Sequence, residues 1–327
     1  MTGISVIYTT HRPQPHFDWF ADSLARQLDD GEMEVIVVDG LLKPARVAEL
    51  EQTVAGRFAF RHLRPKPTPY NGPYRLTRNE YFAASSARNT GIALARMPYV
   101  LFIDDCSVLM PGYWPEAQRA ARHGYIVSGA GQRHVSMVVE RGVLLSSRLV
   151  EGGIRTAQDP RWKQGDDTRL VRLGDDQLTG CSFGAPRSLL LGVNGLDELC
   201  DSVGHEDQQL GIRFGFAGER IYFSRRMLVV MDDEVHGTLG LRSRNHETTS
   251  GETYMQRLGA FGVGSRSVPG GCHPWDMILD ITYGLRSSWT AGNDYRLGDL
   301  HGEVDMLRLV ERFPRTHWFD GRPLAEM

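Results

Sequence analysis

Two adjacent carboxylates, Asp104 and Asp105, follow directly on the apolar residues 99–103 (YVLFI). A run of that length and composition is typical of a strand buried on both faces, as in a parallel sheet. Carboxylates at the C-terminal end of such a strand lie where open α/β sheets bind their ligands. Because two unpaired carboxylates repel each other, we expect a positive group beside them, and a divalent cation holding a phosphate is the simplest candidate.

The strand that would position these carboxylates belongs to a regular alternation in the first part of the chain. Apolar runs predict further strands over 4–8, 35–38 and 58–63, and helical spacing predicts helices over about 17–28, 44–54 and 79–96. Strand–helix alternation predicts a parallel α/β sheet with right-handed crossovers.

The second part of the chain is less regular. Apolar patterns predict strands over 125–128, 135–139, 221–223 and 227–231. Residues 64–79 are predicted to form a loop, and the polar residues 151–176 an insertion. Residues 237–272 are rich in glycine and predict a flexible loop, after which helical patterns return over about 274–286 and 303–313.

Composition excludes few classes of protein. The 327 residues suffice for one large domain or two smaller ones, and the net charge of −3 gives no general reason to expect nucleic acid or an anionic membrane as partner. Of the 37 basic residues only three are lysine, at 43, 66 and 163, and the other 34 are arginine. Because arginine is so common in this chain, a single arginine is weak evidence of function. The four cysteines form no CxxC pair and fit no zinc-site spacing. With no secretory segment and no apolar run of roughly 20 residues, we expect a cytoplasmic protein, soluble or peripheral to the membrane.

Several motifs follow one another in a characteristic order. They are an ARNxGxxxA helix over 87–95, an FxDD strand end over 102–105, a GxxGFDE-like segment over 192–198 and an EDxxLxxR helix over 206–213. This order resembles the GT-A glycosyltransferases, and family 2 in particular, over roughly residues 3–237. The resemblance implies a GT-A fold: a Rossmann-like α/β domain over 1–237 with a mainly parallel central sheet flanked by helices. A flexible loop and a C-terminal helical extension would follow over 238–327.

The resemblance also implies an activity, which is inverting transfer of a sugar from a nucleoside diphosphate, UDP above all, to a hydroxyl acceptor. The loop after the first strand would line the base and ribose through Thr9, Thr10, His11 and Arg12. Asp39 resembles the carboxylate that hydrogen-bonds the base, and Arg88 a residue near the diphosphate, whose oxygens suit a guanidinium fork.

The metal and the base are implied in the same way. Asp104 and Asp105 match the DXD-type motif, with Asp104 holding the ribose or a metal-bound water and Asp105 ligating the metal. Many relatives have a third carboxylate where Cys106 stands, but Mg²⁺ and Mn²⁺ prefer oxygen to sulfur, so Asp105 is assigned as the ligand. His236 resembles a histidine that completes the metal's coordination, which favours Mn²⁺ over Mg²⁺.

The carboxylate pair Glu206-Asp207 resembles the position of the catalytic base, with Asp207 as the base and Glu206 raising its pKa if both were desolvated.

Each of these residues also has a purely structural interpretation. Asp104-Asp105 could start a loop, Asp39-Gly40 could be a turn, and carboxylates favour the start of any helix. Asp232-Asp233 could be a rival metal site, although a solvated strand end is the preferred interpretation.

Two other functions stay open. A nucleotidyltransferase would carry a glycine-rich basic loop after the first strand, whereas residues 9–15 contain no glycine. A non-catalytic sugar-nucleotide or glycan-binding module could use the same scaffold, although retention of both carboxylate pairs argues against it. The acceptor could be a glycan, a lipid-linked sugar, a protein, a metabolite or a modified base.

Overall fold

The computed structural model describes residues 3–41, 44–66, 68, 82–150, 159–165, 168–201 and 204–238. The predicted loop and helical extension after residue 238 lie outside the described residues, as do most of the predicted 64–79 loop and residues 151–158 of the predicted insertion. The predicted boundary at 237 falls at the end of the described part and stays a prediction.

Within the described residues, ten strands form one mixed sheet. They are β1 (Ile4–Thr10), β2 (Met33–Asp39), β3 (Ala59–Leu63), β4 (Tyr99–Asp104), β5 (Ser107–Leu109), β6 (Ile126–Glu140), β7 (Val143–Leu149), β8 (Val171–Arg172), β9 (Ser182–Pro186) and β10 (Ile221–Asp232). The order is β3-β2-β1-β4-β9-β6-β10-β5, with β7 beside β6 and β8 beside β10. Along that order, β9 and β5 run opposite to the six other strands, so the central sheet is mostly parallel.

Seven helices flank this sheet in the described part of the chain. They are α1 (Phe17–Ala25), α2 (Pro44–Val54), α3 (Ala84–Leu94), α4 (Tyr113–His123), α5 (Arg187–Gly192), α6 (Glu206–Phe216) and α7 (Asp233–Thr238), with short 3-10 turns at Pro160–Gln164, Asp175–Gln177 and Glu198–Cys200. One core cluster packs α3, α5 and α6 against the sheet and includes Phe102 stacked on Phe183 at 4.3 Å. The second packs α1, α2 and α4 and includes Phe20 and Trp114.

The four parallel strands β3-β2-β1-β4 bring the predicted site residues to one edge. Every residue of β1 and β2 is buried, as expected for strands covered on both faces. The register pairs Thr10 with Asp39 and Thr9 with Asp104, so these residues lie side by side at three neighbouring strand ends.

The predicted mainly parallel α/β architecture is therefore confirmed, while several boundaries differ. The segments predicted over 125–128 and 135–139 are one 15-residue strand, β6, which turns at Arg141 and Gly142 into β7. Both turn residues have positive φ (47° and 72°), as a tight hairpin turn requires. The predicted strands 221–223 and 227–231 likewise form one strand, β10, with a register shift between Ser224 and Leu228.

No helix in the described ranges is both long enough and apolar enough to cross a membrane.

Candidate active site

Asp39, at the end of β2, is fully buried and held by three neighbours. Arg46 donates to both carboxylate oxygens (3.1 and 3.0 Å), His62 Nε2 lies 3.1 Å from Oδ2, and the Leu41 N–H donates to Oδ1 at 2.8 Å. Burial opposes ionisation of Asp39, but the hydrogen bond from His62 and the charge of Arg46 outweigh it and lower its pKa. Arg46 also donates to the carbonyl oxygens of Arg12 and Pro13, so the same guanidinium fixes the loop after β1.

That loop contacts the metal-motif carboxylate Asp105. Thr10 Oγ1 donates to Asp105 Oδ2 at 2.7 Å, and Arg12 Nε donates to Oδ1 at 2.9 Å. Burial raises the pKa of Asp105 to about 6, although the charge of Arg12 and the two hydrogen bonds oppose the rise. The structure thus brings three of the predicted site residues together, with Arg12 supplying the positive charge beside Asp105.

His11, on the same loop, packs against the turn after β2. A Cβ at Gly40 would lie 2.1 Å from His11 Nδ1, and the Gly40 N–H donates to the Thr10 carbonyl at 2.9 Å. The ring of His11 also faces Phe82, with centroids 6.1 Å apart. The Asp39-Gly40 turn therefore forms one wall with the loop that was predicted to bind the nucleoside.

Arg88 on α3 connects the two carboxylate pairs. It is 3% exposed, and it donates from Nη2 to Asp104 Oδ1 at 2.7 Å and from Nη1 to Glu206 Oε1 at 2.9 Å. Burial alone would lower the pKa of Arg88, but Asp104, Glu206 and Asp207 together raise it. The end of β4 and the start of α6, about 100 residues apart in sequence, therefore meet at one guanidinium.

Asp207 lies near Arg88 and is oriented by two backbone amides. Gly180 N–H donates to Oδ2 at 2.6 Å, and Gln208 N–H donates to Oδ1 at 2.9 Å. Burial and the neighbouring Glu206 raise the pKa of Asp207, and Arg88 offsets part of the rise. Such a carboxyl group takes up a proton more readily than an ordinary aspartate does.

Helix α7 begins beside this site. Asp232 is 6% exposed and accepts hydrogen bonds from the N–H groups of Glu234 and Val235, so it caps α7. The preferred interpretation of Asp232 as a solvated strand end was therefore wrong for this residue, because its carboxylate is buried in the cap. Arg12 Nη1 donates to the Val235 carbonyl at 2.7 Å, which brings the residue preceding His236 next to the Arg12–Asp105 pair. The His236 side chain lies outside what the structure describes.

Cys106 stands where many relatives have a third motif carboxylate, and its thiol points toward the Gln14 carbonyl. Its backbone is left-handed (φ 58°), and its thiol donates to the Gln14 carbonyl at 3.7 Å in a fully buried position. Burial and the charge of Asp105 raise the pKa of this thiol, which keeps it protonated and makes it a poor metal ligand.

The carboxylate oxygens of Asp104 and Asp105 suit a divalent cation, provided that Arg12 can leave Asp105. Asp104 Oδ2 accepts no hydrogen bond from the described residues, and its side chain is 23% exposed. Asp105, by contrast, is held by Arg12 and Thr10, so a cation at Asp105 would have to displace the guanidinium. In the described ranges no three His, Cys, Asp or Glu side chains are grouped as metal ligands.

Four residues near the site were not predicted from the sequence: Arg46, His62, Gly180 and Arg161. Arg46 and His62 hold Asp39, Gly180 donates to Asp207, and Arg161 anchors the segment that carries Gly180. In an arginine-rich chain no local pattern distinguishes Arg46 or Arg161, and only their neighbours in the fold reveal them.

The strand order, the parallel half-sheet and the carboxylates at its C-terminal edge define a GT-A fold. The family model described as "Glycosyl transferase family 2" matches residues 5–184. The chain therefore belongs to glycosyl transferase family 2, and the resemblance found in the sequence motifs is confirmed. None of the curated protein sequences matches the chain.

One solved structure has the same fold, and a second is less similar to this chain. A crystal structure of S. aureus TarS 1-349 in complex with UDP-GlcNAc has a TM-score of 0.54 at 14% identity, covering 89% of this chain and 74% of that chain. A structure of TarS 1-349 with UDP has a TM-score of 0.49 at 14% identity, covering 89% and 73%. At this identity the likeness shows the fold alone.

Proposed function

We propose that this protein transfers a sugar from a UDP-sugar to a hydroxyl acceptor by a single inverting displacement, with Asp207 as the general base. The observation that carries the proposal is the Arg88 bridge, which joins Asp104 at the end of β4 to the carboxylate pair that opens α6. Family 2 membership supports sugar transfer. The choice of UDP is supported by the motifs and by the fold shared with TarS, which was crystallised with UDP-GlcNAc.

The proposed donor site is the wall formed by the β1 loop and the end of β2. Thr9, Thr10, His11 and Arg12 line it, and Asp39 is the proposed base-recognition residue. Because Asp39 Oδ2 already accepts from His62, a nucleobase N–H would compete with that ring for the same oxygen. Arg88, held between Asp104 and Glu206, is the proposed residue near the diphosphate, and a bound cation would offset the negative charge of the carboxylates around it.

The proton chemistry falls to Asp207. As the acceptor oxygen forms its bond to the anomeric carbon, its proton passes to the Asp207 carboxylate, and the bond to the diphosphate oxygen breaks with its electron pair leaving on the diphosphate. The raised pKa of Asp207 favours proton uptake, and such general-base assistance is worth about 10²–10⁴ in rate. Glu206 is the second candidate, held at Arg88.

We propose that Asp105 and His236 would hold a divalent cation, Mn²⁺ rather than Mg²⁺ if the imidazole takes part, and that Asp104 would hold the ribose or a metal-bound water. A bound cation supplies Lewis-acid stabilisation to the departing diphosphate. Binding at Asp105 requires that Arg12 release this carboxylate, and the released Arg12 would remain beside the diphosphate as a second positive group.

The test is UDP release from a panel of UDP-sugars, with water as the acceptor, in the presence and absence of Mn²⁺. We expect release from at least one UDP-sugar, stimulation by Mn²⁺, and loss of release in Asp207→Asn. A binding module would instead bind UDP-sugars in a thermal-shift assay without releasing UDP, and that result would contradict the proposal.

A further inference from the structure

Asp159 and Arg161 form a buried ion pair within the segment that was predicted to be an insertion. Their side chains are 5% and 4% exposed, and Arg161 donates from Nε to Asp159 Oδ1 at 2.9 Å and from Nη2 to Oδ2 at 2.5 Å. Asp159 also accepts from the Arg161 backbone N–H and from the Gly131 N–H of β6. This two-point fork fixes the guanidinium plane.

The guanidinium then ties β6 to the residues that precede β9. On β6 it donates to Ser128 Oγ at 2.6 Å and to the Gly129 carbonyl at 2.8 Å. On the other side it donates to the Gln177 carbonyl at 3.0 Å and to Thr179 Oγ1 at 2.9 Å. The flat face of the Arg161 guanidinium lies 4.7 Å from the centroid of the Phe223 ring, so β10 packs against the third side of this guanidinium.

The segment held in this way, Thr179–Cys181, is the one that contacts the proposed catalytic groups. Gly180 N–H donates to Asp207 Oδ2 at 2.6 Å, and the Gly180 carbonyl accepts from Arg88 at 3.4 Å. The Cys181 carbonyl accepts from the Asp104 N–H at 3.2 Å. A Cβ at residue 180 would lie 2.9 Å from Arg88 Nη2, so the backbone has little room to move toward the guanidinium.

We propose that Arg161, locked by Asp159, is a positioning residue for Asp207: it holds Thr179–Cys181 so that the Gly180 N–H points at the Asp207 carboxylate. The proposal rests on the proposed function for its catalytic meaning, while its structural statement stands on this geometry. The guanidinium contacts neither carboxylate pair, so its effect passes through the backbone of residues 179–181.

The hydrogen bond from Gly180 favours the ionised form of Asp207. Its loss therefore raises the pKa of Asp207 further and moves the acidic limb of the activity profile to higher pH. The charges that act on Asp207 stay in place in this change: Glu206 on its own helix, and Arg88 on α3, which is paired with Asp104. The carboxylate of Asp175 lies farther along α6, beside Gly215.

The decisive measurement is the pH titration of the Gly180 amide by NMR, which needs no turnover. Thr-Gly dipeptides occur only at 2–3, 90–91 and 179–180, so labelling threonine with ¹³C at the carbonyl and glycine with ¹⁵N leaves three amide signals. Thr179→Ser removes the third signal and assigns it. We expect the Gly180 signal to titrate in the wild type and to stop titrating in Asp207→Asn.

Arg161→Lys keeps the charge but loses the fork, so we expect the Gly180 amide to move to a weaker hydrogen-bond position and its titration amplitude to fall. In the UDP-release assay, kcat falls about 10- to 100-fold with the donor KM unchanged, because the base is displaced rather than the nucleotide. The acidic limb shifts to higher pH. Ser128→Ala, which removes one contact and leaves the labelled pair intact, gives the same shifts more weakly and replaces Arg161→Lys if that variant does not fold.

Arg213→Lys is the matched control, because Arg213 is equally buried on α6 and donates to the Val193 and Gly195 carbonyls away from Gly180. It should lower Tm without changing the Gly180 titration. If Arg161→Lys also lowers Tm and leaves the Gly180 signal unchanged, Arg161 is a structural residue only and the inference is wrong. If Asp207→Asn keeps full turnover, the proposed function fails, while the Gly180 signal still decides the positioning role.

Discussion

Buried carboxylates at the end of β2 and at the start of α6 have opposite balances of partners. At the end of β2 one carboxylate, Asp39, has Arg46, His62 and a backbone amide as partners. At the start of α6 a single guanidinium, that of Arg88, is shared by three carboxylates. It donates hydrogen bonds to Asp104 and Glu206, and the nearby charge of Asp207 also raises the pKa of Arg88. The pKa of Asp39 is lowered and that of Asp207 is raised, although both groups are buried.

The difference shows that the balance of partners, and not burial itself, decides what a buried carboxylate can do. Asp39 accepts hydrogen bonds from Arg46, His62 and Leu41 and keeps its charge, as suits a fixed element of a binding wall. The Arg88 cluster carries a negative excess that a proton can relieve at little cost, as suits a base. Substitutions at the two ends of the site test this contrast.

The largest expected effect is on turnover in Asp207→Asn. The substitution removes the proposed general base, so UDP release should fall about 10²–10⁴-fold. Stability at neutral pH should not fall, because the change removes a buried charge that is poorly compensated. A variant that retains activity or loses several kcal/mol of stability would show that Asp207 is a structural residue like Asp39.

The next effect is on stability in Arg88→Met. Removing the shared cation leaves three carboxylates uncompensated, and loss of one partner from a buried ionic network costs about 3–5 kcal/mol. Urea unfolding measures the change, which should shrink at acid pH as Asp207 takes up a proton. Arg57→Met is the control, because its pair with Asp22 is about a third exposed and a surface pair contributes about 0–1 kcal/mol. Equal losses in the two variants would contradict the assignment of Arg88 as the hub.

Sequence patterns predicted the parts of this molecule in which neighbours along the chain determine the outcome. Strands β1, β2 and β4 were found because a fully buried strand requires an uninterrupted apolar run. β7 was missed, since it mixes exposed and half-buried residues and its apolar run, Val143–Leu145, is only three residues long. The carboxylate pairs were found because motif spacing marks them.

The partners of those carboxylates could not be predicted in the same way. Arg46 reaches Asp39 from the first turn of α2, but the chain carries 34 arginines with the same local appearance. Gly180 reaches Asp207 across 27 residues and through a backbone N–H, which any residue type could supply. Such contacts depend on tertiary geometry, and the chemistry of the site depends on them.

A smaller effect is expected in Asp39→Asn, which sharpens the comparison from the other side. The amide retains an acceptor for Leu41 N–H but leaves Arg46 without its charged partner, which should cost about 3 kcal/mol. Because Arg46 also holds the Arg12 and Pro13 carbonyls, the donor KM should rise more than kcat falls. Unfolding in urea and a kcat–KM separation in the UDP-release assay measure the two parts. An unchanged stability would mean that the Asp39 cluster is not a rigid wall.

The smallest effect is the pH dependence of stability, in which the two carboxylates should show opposite signs. The folded pKa of Asp39 lies below the unfolded value of about 3.9, so its contribution is present above that pH and is lost as pH falls through the folded pKa. The folded pKa of Asp207 lies above the unfolded value, so its contribution is complete below about pH 4 and is lost as pH rises through the folded pKa.

Thermal unfolding from about pH 3.5 to about pH 8.5 measures this difference in wild type, Asp39→Asn and Asp207→Asn. A tenfold difference in acid dissociation constant between the folded and unfolded states corresponds to about 1.4 kcal/mol of stability. The Tm deficit of Asp39→Asn should shrink below about pH 4, whereas Asp207→Asn should match the wild type near pH 4 and exceed it near pH 8. Parallel Tm curves for the two variants would show that both carboxylates ionise alike, and the contrast between the two ends of the site would then be lost.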